Sequence, residues 1–332
     1  TLNKYRTQNG LAPSFATLSH HANLSYNGKL GNVWLKGTVT YDNSDLTHYQ
    51  VVNEPVVLAM AEVLPVRDVI KQQINGHAGI SRYLNGQEHT LGGKLQGDWN
   101  YIDNGTHSGL LTFGAEYSYF QLDDVRYTFG YDFTKLATEN DSIPILGKGH
   151  ESNMNGFVQM KHHWQSFILN AGLRFDYKNR YNDTKIREFS PRLALIYVQP
   201  KWNLKLSYSK AFIDAPYLYR KVNLFLASFM GYTEYAEDLD PESLHSWQLT
   251  FGANQWLPGL NFELNAFFNH ANDLIIPYMI QHSNSGNINT YGLELSANYQ
   301  HRRLSAHLNA TWQDVSKNRQ AGSDYDHALN IP

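Results

Sequence analysis

From Phe167 to Tyr177 every second residue is apolar: Phe167, Leu169, Ala171, Leu173, Phe175 and Tyr177. Asn170, Gly172, Arg174 and Asp176 alternate with them. A strand turns successive side chains to opposite faces, so this segment has one greasy face and one charged face. The pattern recurs along the chain. Leu260, Phe262, Leu264, Ala266 and Phe268 alternate with Asn261, Glu263 and Asn265. Leu293, Leu295, Ala297 and Tyr299 lead, across "QHRR", into Leu304, Ala306, Leu308, Ala310 and Trp312. Similar runs begin at Leu18, Val33, Leu91, Leu111, Leu193, Trp202 and Trp247, and a less regular one covers 152–164. About 12 strands follow from this count.

Strand length narrows the fold further. Many runs keep their alternation for 11 residues or more, where globular strands average about 5–6 and a tilted membrane-crossing strand needs about 9–11. The polar face carries Lys94, Asp98, Glu116, Arg174, Asp176, Lys205 and Glu263 in mid-strand. Such charges are costly in a sandwich core and comfortable in a hydrated lumen. The connections also alternate in length. Short ones fall near 28–31, 102–106, 164–166, 199–201, 256–258 and 300–303. Long ones fall near 43–86, 122–151, 178–187, 213–243, 274–287 and from 315 onward. Short turns at one end and long loops at the other organise an outer-membrane barrel. Tyr26, Tyr41, Trp99, Tyr119, Trp164, Tyr177, Trp202, Tyr208, Trp247 and Trp256 close the greasy runs, where headgroup-level aromatics belong. The expected fold is all-β: a transmembrane antiparallel up-and-down β-barrel.

Composition agrees once alternation is taken into account. Mean hydropathy is −0.47, yet a barrel dilutes its lipid-facing signal by half. No apolar run reaches the roughly 18 residues of a membrane helix. A formal charge of −3 argues against a nucleic-acid partner. The absence of cysteine removes disulfides, thiolate metal sites and thiol nucleophiles.

Four stretches resemble TonB-dependent outer-membrane receptors. They are "FSPRLALIY" (Phe189 to Tyr197), "LSYSKAFIDAPYLYR" (Leu206 to Arg220), "EDLDPESLHSWQLTFG" (Glu237 to Gly252), and "FFNHANDLI" followed by "GNINTYGLEL". Their order matches across roughly Glu188 to Trp312. Asp214 stands where many members carry Arg in an Arg-Ala-Pro box, and "FIDAPYLYR" is similar to the variant of the Bacteroidota. The resemblance implies an outer-membrane receptor of a Gram-negative bacterium. It would take up a scarce nutrient such as a siderophore, haem, cobalamin or glycan with energy from the TonB complex. A surface lipoprotein is a possible partner in such a system. Members have a barrel of about 22 strands around a plug. Residues 1–332 are therefore expected to form part of a barrel domain, with the plug and terminal strands outside this chain. A passive porin-like channel or a surface-adhesion barrel is the alternative, and a soluble all-β binding protein a third.

Pro216 and Pro241 are expected to bound strands, since proline cannot donate to a ladder. The loop between them is the candidate ligand site, through Tyr217, Tyr219, Arg220, Tyr232 and Tyr235, because loops on a rigid scaffold carry recognition. No catalytic residue, cofactor or metal site is expected, and no enzyme. The 15 histidines include adjacent pairs such as His162 and His163, which point to opposite faces of a strand. Haem receptors of the family often carry a histidine between the two boxes, and Ala215 to Pro241 holds none. The acidic run Glu234 to Glu242 reads as a solvated loop, "GKG" at 147–149 as a loop tip, and "VVLAMAEVLP" as a segment packed at the barrel mouth.

Overall fold

The computed structural model describes residues 14–53, 79–130, 142–144, 148–221, 238–255, 257–278, 281–320 and 323–325. Tyr232, Tyr235, Trp256 and "VVLAMAEVLP" lie outside the described residues. The strands are β1 (Ser14–Leu30), β2 (Val33–Asn53), β3 (Gly79–Asp103), β4 (His107–Gly130), β5 (Ser142–Pro144), β6 (Gly149–Trp164) and β7 (Phe167–Asn179). They continue with β8 (Lys185–Gln199), β9 (Trp202–Ile213), β10 (Glu242–Asn254), β11 (Leu260–Tyr278), β12 (Gln281–His301), β13 (Leu304–Gln320) and β14 (Ser323–Tyr325). All pair antiparallel with their sequence neighbours in one sheet, except that β4 pairs both the short β5 and β6. β5 and β14 have three residues each, which leaves 12 long strands among the described residues, as the alternation predicts. Among the described residues the sheet is open, with β1 at one edge and β14 at the other.

The expected short turns all join strands at one end. Gly31 and Asn32 connect β1 to β2, Gln165 and Ser166 connect β6 to β7, and Arg302 and Arg303 connect β12 to β13. Gly259 sits at φ +84 in the β10–β11 turn, and a Cβ there would lie 2.2 Å from the Gln300 carbonyl oxygen. Only glycine meets both demands.

At the other end the structure corrects the expected loops. Residues 274–287 are almost wholly strand: β11 runs to Tyr278 and β12 starts at Gln281. The 178–187 connection shrinks to Arg180–Thr184, and β2, β3 and β4 extend well into segments expected to be loop. The reason is physical. Where both faces of a hairpin meet water, alternation has nothing to sort, while the backbone ladder continues. "QHSNSGNINT" shows this, with Ile288 its one large apolar residue. The irregular 152–164 run also has a cause. Phe157 turns inward beside Val158, which turns outward. Its ring lies against Gly114, where a Cβ would approach within 2.6 Å, and takes the Lys94 ammonium 5.4 Å from its centroid.

The two faces are partitioned inside out. The outer face exposes Leu24 (75%), Leu206 (58%) and Leu308 (54%), within a band that also holds Leu95, Leu193, Leu249 and Leu293. Soluble monomers rarely expose contiguous apolar patches beyond a few hundred Å². Aromatic rings run along the short-turn side of this band from Trp164 through Phe167, Tyr197, Trp202 and Phe251 to Phe262, each 4.8 to 6.2 Å from the next. Tyr208, Trp247 and Phe268 form a second row higher up. On β8, Arg187, stacked over Tyr177, stands ten residues from Tyr197. At about 3.3 Å per residue and about 40° tilt this gives an apolar height of roughly 25 Å. The inner face instead carries ion pairs, among them Lys36–Asp98 at 2.7 Å and Lys94–Glu116 at 2.7 Å. The largest fully buried side chains among the described residues are two arginines, Arg180 and Arg220.

Candidate functional site

Lys94 on β3 and Phe212 on β9 line one cavity of about 900 Å³ on the inner face. Four strands of the sheet separate β3 from β9. On a flat sheet with about 4.8 Å between strands they would stand about 24 Å apart. The sheet therefore curls, and the cavity occupies its concave side. Arg174 projects into it between two carboxylates, 2.9 Å from Asp176 and 3.4 Å from Glu116.

The long-loop end of this cavity is closed by chain following β9. Pro216 needs no N–H partner and starts a helical turn, in which Tyr219 and Arg220 donate to its carbonyl at 3.0 and 3.3 Å. The Arg220 side chain folds back, donating from Nε to the Ala215 carbonyl at 3.0 Å and from Nη2 to Glu151 on β6 at 2.6 Å. Lys178 on β7 bridges Glu151 at 2.8 Å and Asp214 at 2.5 Å. Arg180 pairs with Asp214 and, at 3.0 Å, with Asp238. Three cations and three carboxylates thus interlock near the lumen mouth. Asp214, which stands where the resemblance expects arginine, accepts from Arg180 and Lys178.

Of the five expected ligand residues, Tyr217, Tyr219 and Arg220 are described, and they diverge from one short turn. Tyr217 meets Phe120 of β4 at 5.5 Å and Tyr181 at 5.3 Å. Its hydroxyl rests on Gly149, where an added Cβ would stand 2.1 Å away. Gly149 is thus the packed start of β6 and no loop tip. Tyr219 stacks on His282 of β12 at 3.8 Å with the rings 10° apart. One helical turn therefore touches β4, β6 and β12 and lies across the mouth. Glu151, Lys178, Arg180, Tyr181 and His282 complete this arrangement without any mark in the sequence pattern. Asp238, from the acidic run expected to be a solvated loop, pairs instead with buried Arg180, while 234–237 lie outside the described residues. The second box is held as expected of a strand boundary. Pro241 directly precedes β10, Asn284 brackets the Asp240 backbone at 2.7 and 2.9 Å, and Glu242 accepts from the Ile275 amide at 2.6 Å.

Burial acts to raise the Asp214 carboxyl, but Arg180 and Lys178 outweigh it and hold it below the ordinary carboxylate range. Its stabilisation is therefore complete above about pH 3.9, the free-chain value, and drains as pH falls through the lower folded value. External proteolysis of the 214–241 loop is expected to stay constant from about pH 7 to 4 and to rise below that. A rise already between about pH 7 and 5 would show that Asp214 does not anchor the loop.

Among the described residues no group of three potential metal ligands converges, and no helix is long and apolar enough to cross a membrane. The family described as TonB dependent receptor-like, beta-barrel, matches residues 2–332. No curated protein matches the chain. Solved structures do. The outer membrane transporter YddB from Escherichia coli aligns with TM-score 0.62 and 13% identity, over 94% of this chain and 46% of its own. The FrpB iron transporter from Neisseria meningitidis (F3-3 variant) aligns with TM-score 0.57 and 16% identity, over 91% and 44%. The RagAB peptide transporter aligns with TM-score 0.53 and 15% identity, over 96% and 38%. At these identities the likeness shows the fold, and the chain spans less than half the length of each of these structures.

Proposed function

The chain belongs to the TonB-dependent receptor-like β-barrel family, and from that premise we propose that it forms part of the wall of an outer-membrane nutrient receptor. The carrying observation is the inverted partition: leucines outside, buried arginines and ion pairs inside. Lipid is the solvent for the first and a hydrated, substrate-conducting lumen for the second. β1, and β13 below the three residues that pair with β14, each present a long row of backbone groups that only further strands can satisfy within a bilayer. A complete barrel of about 22 strands around a plug meets that need and accords with the span of the solved neighbours.

The receptor binds a scarce nutrient at the mouth, where the turn from Tyr217 to Lys221 meets β4, β6 and β12. It then passes the nutrient inward with energy from the TonB complex acting on the plug. No bond chemistry is assigned to it. FrpB is an iron transporter and RagAB a peptide transporter, so iron and peptide are two ligand classes to test on this fold, and a surface lipoprotein is a partner to test beside them. The experiment is uptake by cells carrying the whole receptor, with and without a protonophore. Uptake is expected to stop when the proton-motive force collapses, while surface binding persists. Uptake that continues unchanged would convert the reading to a passive channel.

A further inference from the structure

Beside the interlocked ion pairs lies a set of donors with no hydrogen-bond partner among the described residues. Arg220 is 1% exposed, and its Nη1 has no hydrogen-bond partner among the described residues. The hydroxyls of Tyr181 and Tyr217 are also buried without one. Their rings stand 5.3 Å apart, and the Arg220 guanidinium lies 5.5 and 5.9 Å from their centroids. Lys221 reaches the same two rings, its ammonium 3.7 Å from the Tyr181 centroid and 5.6 Å from that of Tyr217. Buried donors of this kind favour any acceptor that can reach them.

Charge gives the sign of that acceptor. Glu151 is shared by Arg220 and Lys178, and Asp238 is taken by Arg180. Lys221 pairs with no carboxylate among the described residues, and among these the cluster sets four cations (Lys178, Arg180, Arg220, Lys221) against three carboxylates (Glu151, Asp214, Asp238). A metal ion is the wrong partner. It would need phenolates, and burial, with the Glu151 charge adding to it, pushes the Tyr217 hydroxyl well above the ordinary phenol range. Burial likewise raises Tyr181, with Asp238 adding to it. Both phenols are neutral donors. Burial and the neighbouring Arg220 lower Lys221 from its ordinary value, a penalty that a bound anion would relieve.

We propose that Arg220 Nη1, the Tyr181 and Tyr217 hydroxyls and the Lys221 ammonium form an oxyanion site, which receives a carboxylate or phosphate group of the imported ligand. The role as part of an importer rests on the function proposed above; the anion chemistry rests on these four groups alone.

The test is calorimetric titration of the whole detergent-solubilised receptor with citrate and, separately, with inorganic phosphate. Tyr181→Phe, Tyr217→Phe and Lys221→Gln are compared with the wild type. The phenylalanine variants keep the rings and the fold while deleting one donor each, and Arg220 is left intact because it anchors the turn. Saturable binding of at least one probe is expected, weakened about tenfold by each substitution. Preference for citrate identifies a carboxylate ligand, and preference for phosphate a phosphorylated one. No saturable binding of either, or equal affinity in all four proteins, overturns the site. Anion binding with the expected losses in a protein whose uptake ignores the proton-motive force would leave the site standing and remove the importer. Energised uptake without anion binding would do the reverse.

Discussion

Deleting Leu295 from the middle of β12 is expected to abolish assembly of the barrel, whereas Leu295→Ala leaves it able to assemble. Leu295 pairs with Leu264 on β11 and Ala310 on β13, so both neighbours depend on its register. A one-residue slip moves a strand's whole side-chain set to the opposite face. If the turn-side half slips, Ser296 and Asn298 meet lipid while Ala297 and Tyr299 enter the lumen. If the other half slips, Glu294 meets lipid and loses its bond from Asn265, 3.0 Å away in the native sheet. A third course holds both halves in place and leaves backbone groups on β11 and β13 unpaired in hydrocarbon, at several kcal/mol each. Every course consumes a large part of the ~5–15 kcal/mol that separates folded from unfolded protein. The readout is the heat-modifiable gel mobility of folded barrel and its amount in the outer membrane. Normal folding of the deletion would mean that the two faces are not sorted by lipid and lumen.

The outward and inward faces of β7 were legible residue by residue, because each strand alone reports which side is apolar. Arg174 and Asp176 were placed on the wet face, and in the structure they bond to each other there, at 2.9 Å. The short turns were legible for the same reason: alternation stops and restarts within a few residues. Two things were not legible. The upper arms of β11 and β12 are strands without alternation, since water wets both sides. The interlock at the mouth depends on distance along the chain. Glu151 and Arg220 lie 69 residues apart, and Asp214 and Arg180 34. Nothing local marks Arg180 in "KNRYND" as one of the most deeply buried side chains among the described residues. The signal that existed was Asp214 in place of the arginine of the box, which asked for a cation from elsewhere; Arg180 and Lys178 supply it.

Arg220→Ala is expected to free the loop after β9 while leaving the barrel folded. The guanidinium is removed from a site with no exposed side-chain surface, and Glu151, 5% exposed, keeps only Lys178 as a charged partner among the described residues. Breaking a buried pair by removing one member costs about 3–5 kcal/mol, because the surviving charge stays in low dielectric. That cost falls on the helical turn and on its seat against β6. The strands are held by their own ladders, including the β6–β7 pairing from Ser152 to Trp164 that Arg220 does not touch. Heat-modifiable mobility should therefore match the wild type, while external protease cuts between 214 and 241 far faster. Glu151→Gln removes the charge that Arg220 leaves behind. The double variant should thus be less destabilised than the sum of the two single ones, with a coupling of about 1–3 kcal/mol. Additive effects would show that the pair does not act as one anchor. Loss of the barrel itself in Arg220→Ala would show that the turn across the mouth supports the wall as well as closing it.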